Sequence, residues 1–217
     1  MITEKFRENK IAVIQYLKGL VEGYKKICIV DVGWNGTSFR IISNLISSFK
    51  HDSIIVGALL ATSRNNEVQI LEEEEKLFSY LYSPLHNWDL IRAHKPGIHT
   101  LIIEFLFSAP TPSLYKYVID KKTGDTKFLF SDVVEKNYEI TREMQRGIID
   151  FVKTYNSVIS KIGIKLNICP YDAFGQLKQV IDNYKYNLTL FQDYSENGLA
   201  GIYDNDTKFG NLMNSRN

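Results

Sequence analysis

Two apolar runs rich in β-branched residues constrain this chain most. They are Lys26-Ile27-Cys28-Ile29-Val30-Asp31-Val32 and Ser53-Ile54-Ile55-Val56-Gly57-Ala58-Leu59-Leu60-Ala61-Thr62. Runs this short and this uniformly apolar suit parallel strands covered on both faces. Between them, about 37–49, Phe39, Ile42, Leu45, Ile46 and Phe49 fall on one helical face. Strand, loop, helix and strand make a βαβ unit, so the two strands are expected to be adjacent and parallel. Such units bind ligands in the crevice outside the carboxyl ends of their strands. Asp31 to Gly36 and Thr62 to Asn66 lie at that edge.

The loop itself reads Asp31-Val32-Gly33-Trp34-Asn35-Gly36-Thr37-Ser38. Gly33 and Gly36 can take backbone angles that other residues avoid and allow another molecule close to the main chain. Thr37 or Ser38 is expected to cap the following helix, whose first N–H groups carry partial positive charge. A phosphate is the natural guest for such a turn. The Walker pattern needs a lysine after its last glycine and the dinucleotide fingerprint a third glycine; neither is present. The Asp-x-Asp motif of haloacid-dehalogenase-like phosphatases is broken by Val32-Gly33. The phosphate loop of actin-like ATPases, Asp-x-Gly followed by small hydroxyl residues, fits best among these patterns. A helix-capping turn would produce much of the same sequence, so a functional loop and a structural turn both remain open.

The candidate ligand-binding residues are therefore Asp31, Gly33, Trp34, Asn35, Gly36, Thr37 and Ser38, with Arg40 and Ser108 as further anion contacts. Trp34 would supply a stacking wall for a sugar or base, or fill the core. Asp31 and Glu104 are the candidate acid and base. Glu104 lies inside the apolar run 98–107, where a buried carboxylate needs a partner. No Gly-x-Ser-x-Gly elbow occurs, and Cys28 sits within a strand. His94 and His99 lack partners at metal-ligand spacing, so no metal site is expected. No residue pattern assigns the chain a reaction.

Elsewhere, residues 3–24 carry Phe6, Val13, Leu17, Leu20 and Tyr24 at helical spacing, with Gly23 as a stop. The acidic run Glu72 to Glu75 reads as the solvated first turn of a helix carrying Leu77, Phe78, Leu81 and Tyr82. Pro84 to Gly97 is irregular, and 98–107 is too apolar for periodicity to separate helix from strand. Leu114 to Ile119 and Thr126 to Phe130 form a hairpin across Lys121 to Asp125, an antiparallel insertion on the main sheet. Residues 133–162 are the longest helical pattern, with Gly147 marking a close packing contact. Pro170 opens a last helix over about 171–184. These elements predict one α/β domain over 1–205, Rossmann-like and three-layered, with a mainly parallel sheet, helices on both faces and a hairpin insertion at about 110–132. Residues 206–217 are expected to form a frayed tail.

The formal net charge of +1 over 217 residues supplies no global field for nucleic acid or an anionic membrane. No apolar run reaches the length of a membrane span and no signal-peptide pattern opens the chain, so the cytoplasm is the expected compartment. Cys28 and Cys169 are expected to be buried free thiols.

The blocks Ile27 to Thr37 and Ile55 to Leu60 resemble the C-terminal region of large bacterial proteins identified as predicted haloacid-dehalogenase-superfamily hydrolases. Those proteins are encoded among glycosyltransferases and capsule or lipopolysaccharide assembly enzymes. Glu104 to Ser113 and Met144 to Phe151 resemble later blocks of the same region. The Asp-x-Gly-Trp-x-Gly-Thr block is the specific one. The phosphatase domain that precedes it in the larger proteins is not in this chain, so phosphatase activity is not implied. The resemblance implies a role in bacterial cell-surface polysaccharide biosynthesis. In that role the chain would be a sugar-nucleotide- or phosphate-binding domain, as part of a glycosyltransferase, with a nucleotide sugar or glycan phosphate as ligand. The alternatives are a non-catalytic module docking other assembly enzymes or an upstream phosphatase domain, and an actin-like nucleotide-binding lobe.

Overall fold

In the computed structural model the described residues are 2–63, 66–93, 98–109, 111–112, 114–131, 138–163 and 167–182. They group into two compact units, Met1–Ile91 with Leu114–Asp132, and Arg92–Ser113 with Val133–Asn217. Among the described residues no helix is long and apolar enough to cross a membrane.

The first unit begins with helix α1 (Ile2–Val21), ended by Gly23 at φ 80. Strand β1 (Lys26–Trp34), helix α2 (Thr37–Ser47) and strand β2 (Ile54–Thr62) follow as the expected βαβ unit. β1 and β2 pair in parallel from Lys26↔Ile54 to Trp34↔Thr62. Helix α3 (Asn66–Glu73) leads to a short third strand, β3 (Leu77–Ser79), parallel to β2 at Gly57↔Leu77. The sheet order is β1-β2-β3. The fold is thus mixed α/β with a parallel sheet.

One face of this sheet holds the core. Phe39 of α2, Val68 of α3, and Leu59 and Leu77 of the sheet form one buried cluster, with Ile29 and Ile55 against it. Leu17 and Val21 of α1 and Ile46 of α2 form a second, over Ile27, Ile29 and Ile55. Gly57 makes the approach of α2 possible, since a Cβ there would lie 2.8 Å from Phe39 Cδ2 and 3.0 Å from Leu77 Cδ1. Cover on both faces, expected from the uniformly apolar runs, holds on this face only among the described residues. Strand alternation sends Cys28, Val30, Ile54 and Phe78 to the other face. All four are exposed, Val30 at 79%. Cys28 is thereby a free, exposed thiol, as is Cys169, and the expectation of buried thiols is corrected. Of the expected stripe, Phe6 and Leu20 in α1 and Tyr24 beyond its end are also exposed; Ala12, Leu17 and Val21 are residues the helix buries.

The hairpin forms as the turn chemistry predicts, with β4 (Leu114–Ile119) antiparallel to β5 (Thr126–Phe130). Asp120 Oδ1 accepts from Lys122 N at 2.9 Å, and Gly124 turns the chain at φ 77. Lys127 pairs with Asp120 and holds its carboxyl below the usual range. The hairpin is a sheet of its own, not an addition to the main one. It packs on α1 instead. Tyr117 N donates to Asn9 Oδ1 at 2.8 Å, and Tyr16 packs in T-shaped fashion on Phe128 at 5.1 Å between centroids. An apolar hairpin face needs a partner, and α1 supplies an aromatic one.

Helix α4 (Trp88–Ala93) spans the boundary of the two units. The second unit contains α5 (Ile98–Phe107), α6 (Tyr138–Ile162) and α7 (Pro170–Asp182). The ambiguous run 98–107 is therefore a helix. α5 packs against both α6 and α7, with Ile103 and Phe174 buried. The expected tail lies outside the described residues, as do 133–137 and 183–184 at the edges of two expected helices.

Candidate functional site

β1 runs on through Gly33 and Trp34, which the sequence placed in the loop, and its end and the turn that follows have an unusual backbone. Gly33, Trp34 and Gly36 all have positive φ, at 101, 93 and 63. At Gly33 no side chain fits, because a Cβ would stand 2.7 Å from Leu59 Cδ2 and 2.8 Å from the Ala61 carbonyl oxygen. Trp34 has no such licence, and a bulky residue at positive φ stores strain. That strain is held by the neighbouring strand. Ser63 N donates to the Trp34 carbonyl at 2.7 Å, and Ser63 Oγ lies 2.5 Å from Asn35 Oδ1. The loop after β1 and the loop after β2 are thus tied together at the carboxyl edge of the sheet. Trp34 itself is half-buried.

Thr37 and Ser38 do not cap α2, which corrects the expectation. The N-cap is Gly36 in the left-handed conformation, with no side-chain cap bond, and Thr37 and Ser38 are exposed in the first turn. A left-handed glycine at this position turns the chain without offering a side-chain acceptor. The first-turn N–H groups of α2 are therefore uncapped by any described side chain. A Cβ at Gly36 would meet Val68 Cγ2 at 3.5 Å, so its requirement is one of conformation rather than space. Arg40, one turn further, forms an exposed ion pair with Glu67 in the first turn of α3. The amino ends of both helices are in this way held together beside the loop.

Asp31 is half-buried and pairs across to Leu59. Strand alternation with Ile29 places it on the covered face of the sheet, two residues before Gly33 within β1. No described residue donates a hydrogen bond to its carboxylate.

The acidic run supplies the functional-type residue that periodicity missed. Glu72 lies in the last turn of α3, not in the first turn of a following helix, and it is buried at 8% exposure. Leu77 and Phe78 belong to β3. Glu72 Oε1 accepts from Ser79 Oγ at 2.7 Å and from Thr62 Oγ1 at 3.3 Å. Its Oε2 is buried and has no hydrogen-bond partner among the described residues. Thr62 and Ser79 end β2 and β3, so this carboxylate is fixed at the carboxyl ends of the strands. The signal was a Thr and a Ser closing two apolar strands, which offers hydroxyl donors where a buried acceptor can sit.

Glu104 and Ser108 lie in the second unit. Glu104 is half-buried in the middle of α5, and Ser108 follows the helix. The carbonyls of Leu106 and Ser108 both accept from Gln145 Nε2, at 3.1 and 2.6 Å, which satisfies the end of α5 from α6. Asp31, Gly33, Trp34, Asn35, Gly36, Thr37, Ser38 and Arg40 lie together in the first unit. His94 lies outside the described residues, and among the described residues no group of three or more His, Cys, Asp or Glu is placed to hold a metal ion. Compared with models of known families, with curated proteins and with solved structures, the chain matches none.

Proposed function

We propose that the loop between β1 and α2 holds the phosphate of a nucleotide sugar or a related glycan phosphate. In this reading the chain is a ligand-binding domain of glycosyltransferase type in bacterial surface-polysaccharide assembly. The observation that carries it is the uncapped amino-terminal turn of α2, opened by left-handed Gly36 at the carboxyl edge of parallel strands. Uncapped N–H groups and the helix dipole favour an anion at that spot. The link to polysaccharide assembly rests on the resemblance of the blocks around Asp31 to Thr37, Glu104 to Ser113 and Met144 to Phe151. Asp31 would accept a sugar hydroxyl, and Arg40 would exchange Glu67 for a phosphate oxygen. A thermal-shift screen with nucleotide sugars, nucleotides and inorganic phosphate tests the reading. A rise in Tm with ligand concentration is expected. No shift with any of the three classes overturns it.

The second reading, a non-catalytic module that docks another assembly enzyme, is favoured by the exposed apolar residues Val30, Ile54 and Phe78 of the sheet. Val30→Lys separates the two. It leaves ligand-induced Tm shifts intact if the loop is the working site.

A further inference from the structure

Helix α6 carries Met144, Ile148, Phe151, Tyr155, Val158 and Ile162 at alternating steps of four and three residues, the spacing of coiled-coil a and d positions. Its amino-terminal end is occupied within the chain, where Thr141 is buried and Gln145 bonds to the end of α5. Beyond that end the stripe is uncovered. Ile148, Phe151, Val152, Val158 and Ile162 are 40%, 65%, 46%, 46% and 57% exposed. Gly147 adds an independent sign. Glycine within a helix costs about 0.5–1 kcal/mol against alanine, and here none of the described residues lies within 4 Å of the Cβ it lacks. The close contact that would justify this glycine is not made among the described residues.

We propose that this stripe pairs with the same helix of a second copy, antiparallel, about a two-fold axis beside Val152. That register sets Ile148 against Val158 of the second copy and Phe151 against its Tyr155, and brings Ile162 of the second copy to the level of the partly exposed Met144, where the seam ends. The reciprocal contacts complete the seam, so every layer is apolar and one patch serves both copies, as a two-fold interface requires. The flanking e and g positions are Gln145, Gly147, Val152, Thr154, Ile159 and Lys161. Charges at these positions choose foreign partners and repel like copies. Only Lys161 is charged, and it faces Gly147 of the second copy. Gly147 beside the seam lets the two backbones approach. The exposed parts of the stripe amount to roughly 500 Å² per copy, hence about 1,000 Å² in the pair, which reaches the lower bound for a specific interface.

Sedimentation of the full chain over a concentration series tests this. The average mass is expected to rise from 25.0 kDa towards twice that value. Phe151→Glu is expected to hold it at the monomer mass at every concentration, with unchanged circular dichroism because Phe151 is exposed. A wild-type protein that stays monomeric throughout overturns the proposal, and so does a Phe151→Glu dimer. Orientation is read by oxidation in a Cys28→Ser, Cys169→Ser background. Val152→Cys is expected to give a covalent dimer and Lys153→Cys, on the opposite face, none. Cross-linking through Phe151→Cys but not Val152→Cys means a parallel pair and overturns the register. Monomers that float with phosphatidylglycerol vesicles, and cease to do so as Phe151→Glu, assign the stripe to a membrane surface and overturn it as well.

Discussion

Ser63 donates its backbone N–H to the carbonyl of Trp34 at 2.7 Å, so the strained end of β1, where the chain turns towards α2, is held by the residue that follows β2. The turn depends on Gly33 and Gly36 for different reasons, and substitution should separate them. Gly33→Ala forces a Cβ against the Ala61 carbonyl at a φ of 101, and about 2–4 kcal/mol of stability is expected to be lost. Gly36→Ala meets only ordinary contacts and should cost about 1–2 kcal/mol through its left-handed φ. Gly36→Asn should cost less than Gly36→Ala, because asparagine tolerates that region and caps helices. Urea denaturation of the three variants checks the order.

Phe39 and Gly57 make a similar pair inside the core. A methyl group at position 57 overlaps the Phe39 ring, so Gly57→Ala is expected to destabilise by about 1–3 kcal/mol, the scale of overpacking. Phe39→Leu in the Gly57→Ala background should recover part of the loss. Equal and additive losses in the double-mutant cycle would show that the two positions are not coupled.

The parts of this fold that rest on local chemistry were legible in the chain. The βαβ unit follows from two β-branched runs around an amphipathic segment, and the hairpin from its Lys-Lys-Thr-Gly-Asp turn. What covers a face is not a local property. Residues 26–32 are apolar at both parities, so the pattern alone could not show that Ile27 and Ile29 are packed while Cys28 and Val30 are exposed. The hairpin's choice of α1 over the main sheet depends on a long-range match between Tyr16, Tyr117 and Phe128. At the site, Gly33 and Gly36 were identified by their residue type, since positive φ selects glycine. The cap was misread because Thr37 and Ser38 are good caps by type but sit one and two places inside the helix. Glu72 was missed because its run of four glutamates looks solvated, and only the tertiary position of Thr62 and Ser79 singles out one of them.

Glu72 should accordingly behave unlike its neighbours. Glu72→Ala removes the acceptor that Thr62 and Ser79 share and leaves Ser79 Oγ only Thr62 Oγ1, at 3.1 Å, so a loss of about 2–4 kcal/mol is expected. Glu72→Gln keeps an acceptor oxygen and should stay within about 1 kcal/mol of wild type. Glu74→Ala and Glu75→Ala, at exposed positions, should fall within about 0.5 kcal/mol. Thermal melts of the four variants test this ranking.

Burial raises the phenol pKa of Tyr82 well above its ordinary value, and that of Tyr117 rises for the same reason with a further push from Tyr16. In the unfolded chain both ionise near about pH 10. Below that pH neither state is charged and stability is undiminished. Above it the unfolded state loses protons that the folded state retains, so stability falls as pH rises. For buried Tyr82 the slope is about 1.4 kcal/mol per pH unit. Tyr82→Phe should make urea midpoints measured between about pH 9.5 and 11 fall less steeply than wild type. Parallel curves would show that Tyr82 does not govern the alkaline limit.

Asp31 decides whether the edge of the sheet is a binding site or only a turn. Its carboxylate is half-buried, lies two residues before Gly33 in β1 and accepts no described hydrogen bond, so the fold gains little that Asp31→Asn would remove. The change keeps the shape and deletes one charge. If the carboxylate holds a sugar hydroxyl or a metal that accompanies the phosphate, affinity should fall by about 1–3 kcal/mol, the scale of a hydrogen bond to a charged group, with Tm almost unchanged. Arg40→Gln is the companion measurement. Its exposed pair with Glu67 is worth at most about 1 kcal/mol to stability, so a larger loss in affinity would place the guanidinium on the ligand. Both samples are measured by calorimetric titration with whichever nucleotide sugar, nucleotide or phosphate raises the wild-type Tm. If Asp31→Asn lowers Tm and leaves affinity intact, Asp31 is a structural residue of the turn. If neither variant weakens binding, the ligand does not lie over the amino end of α2.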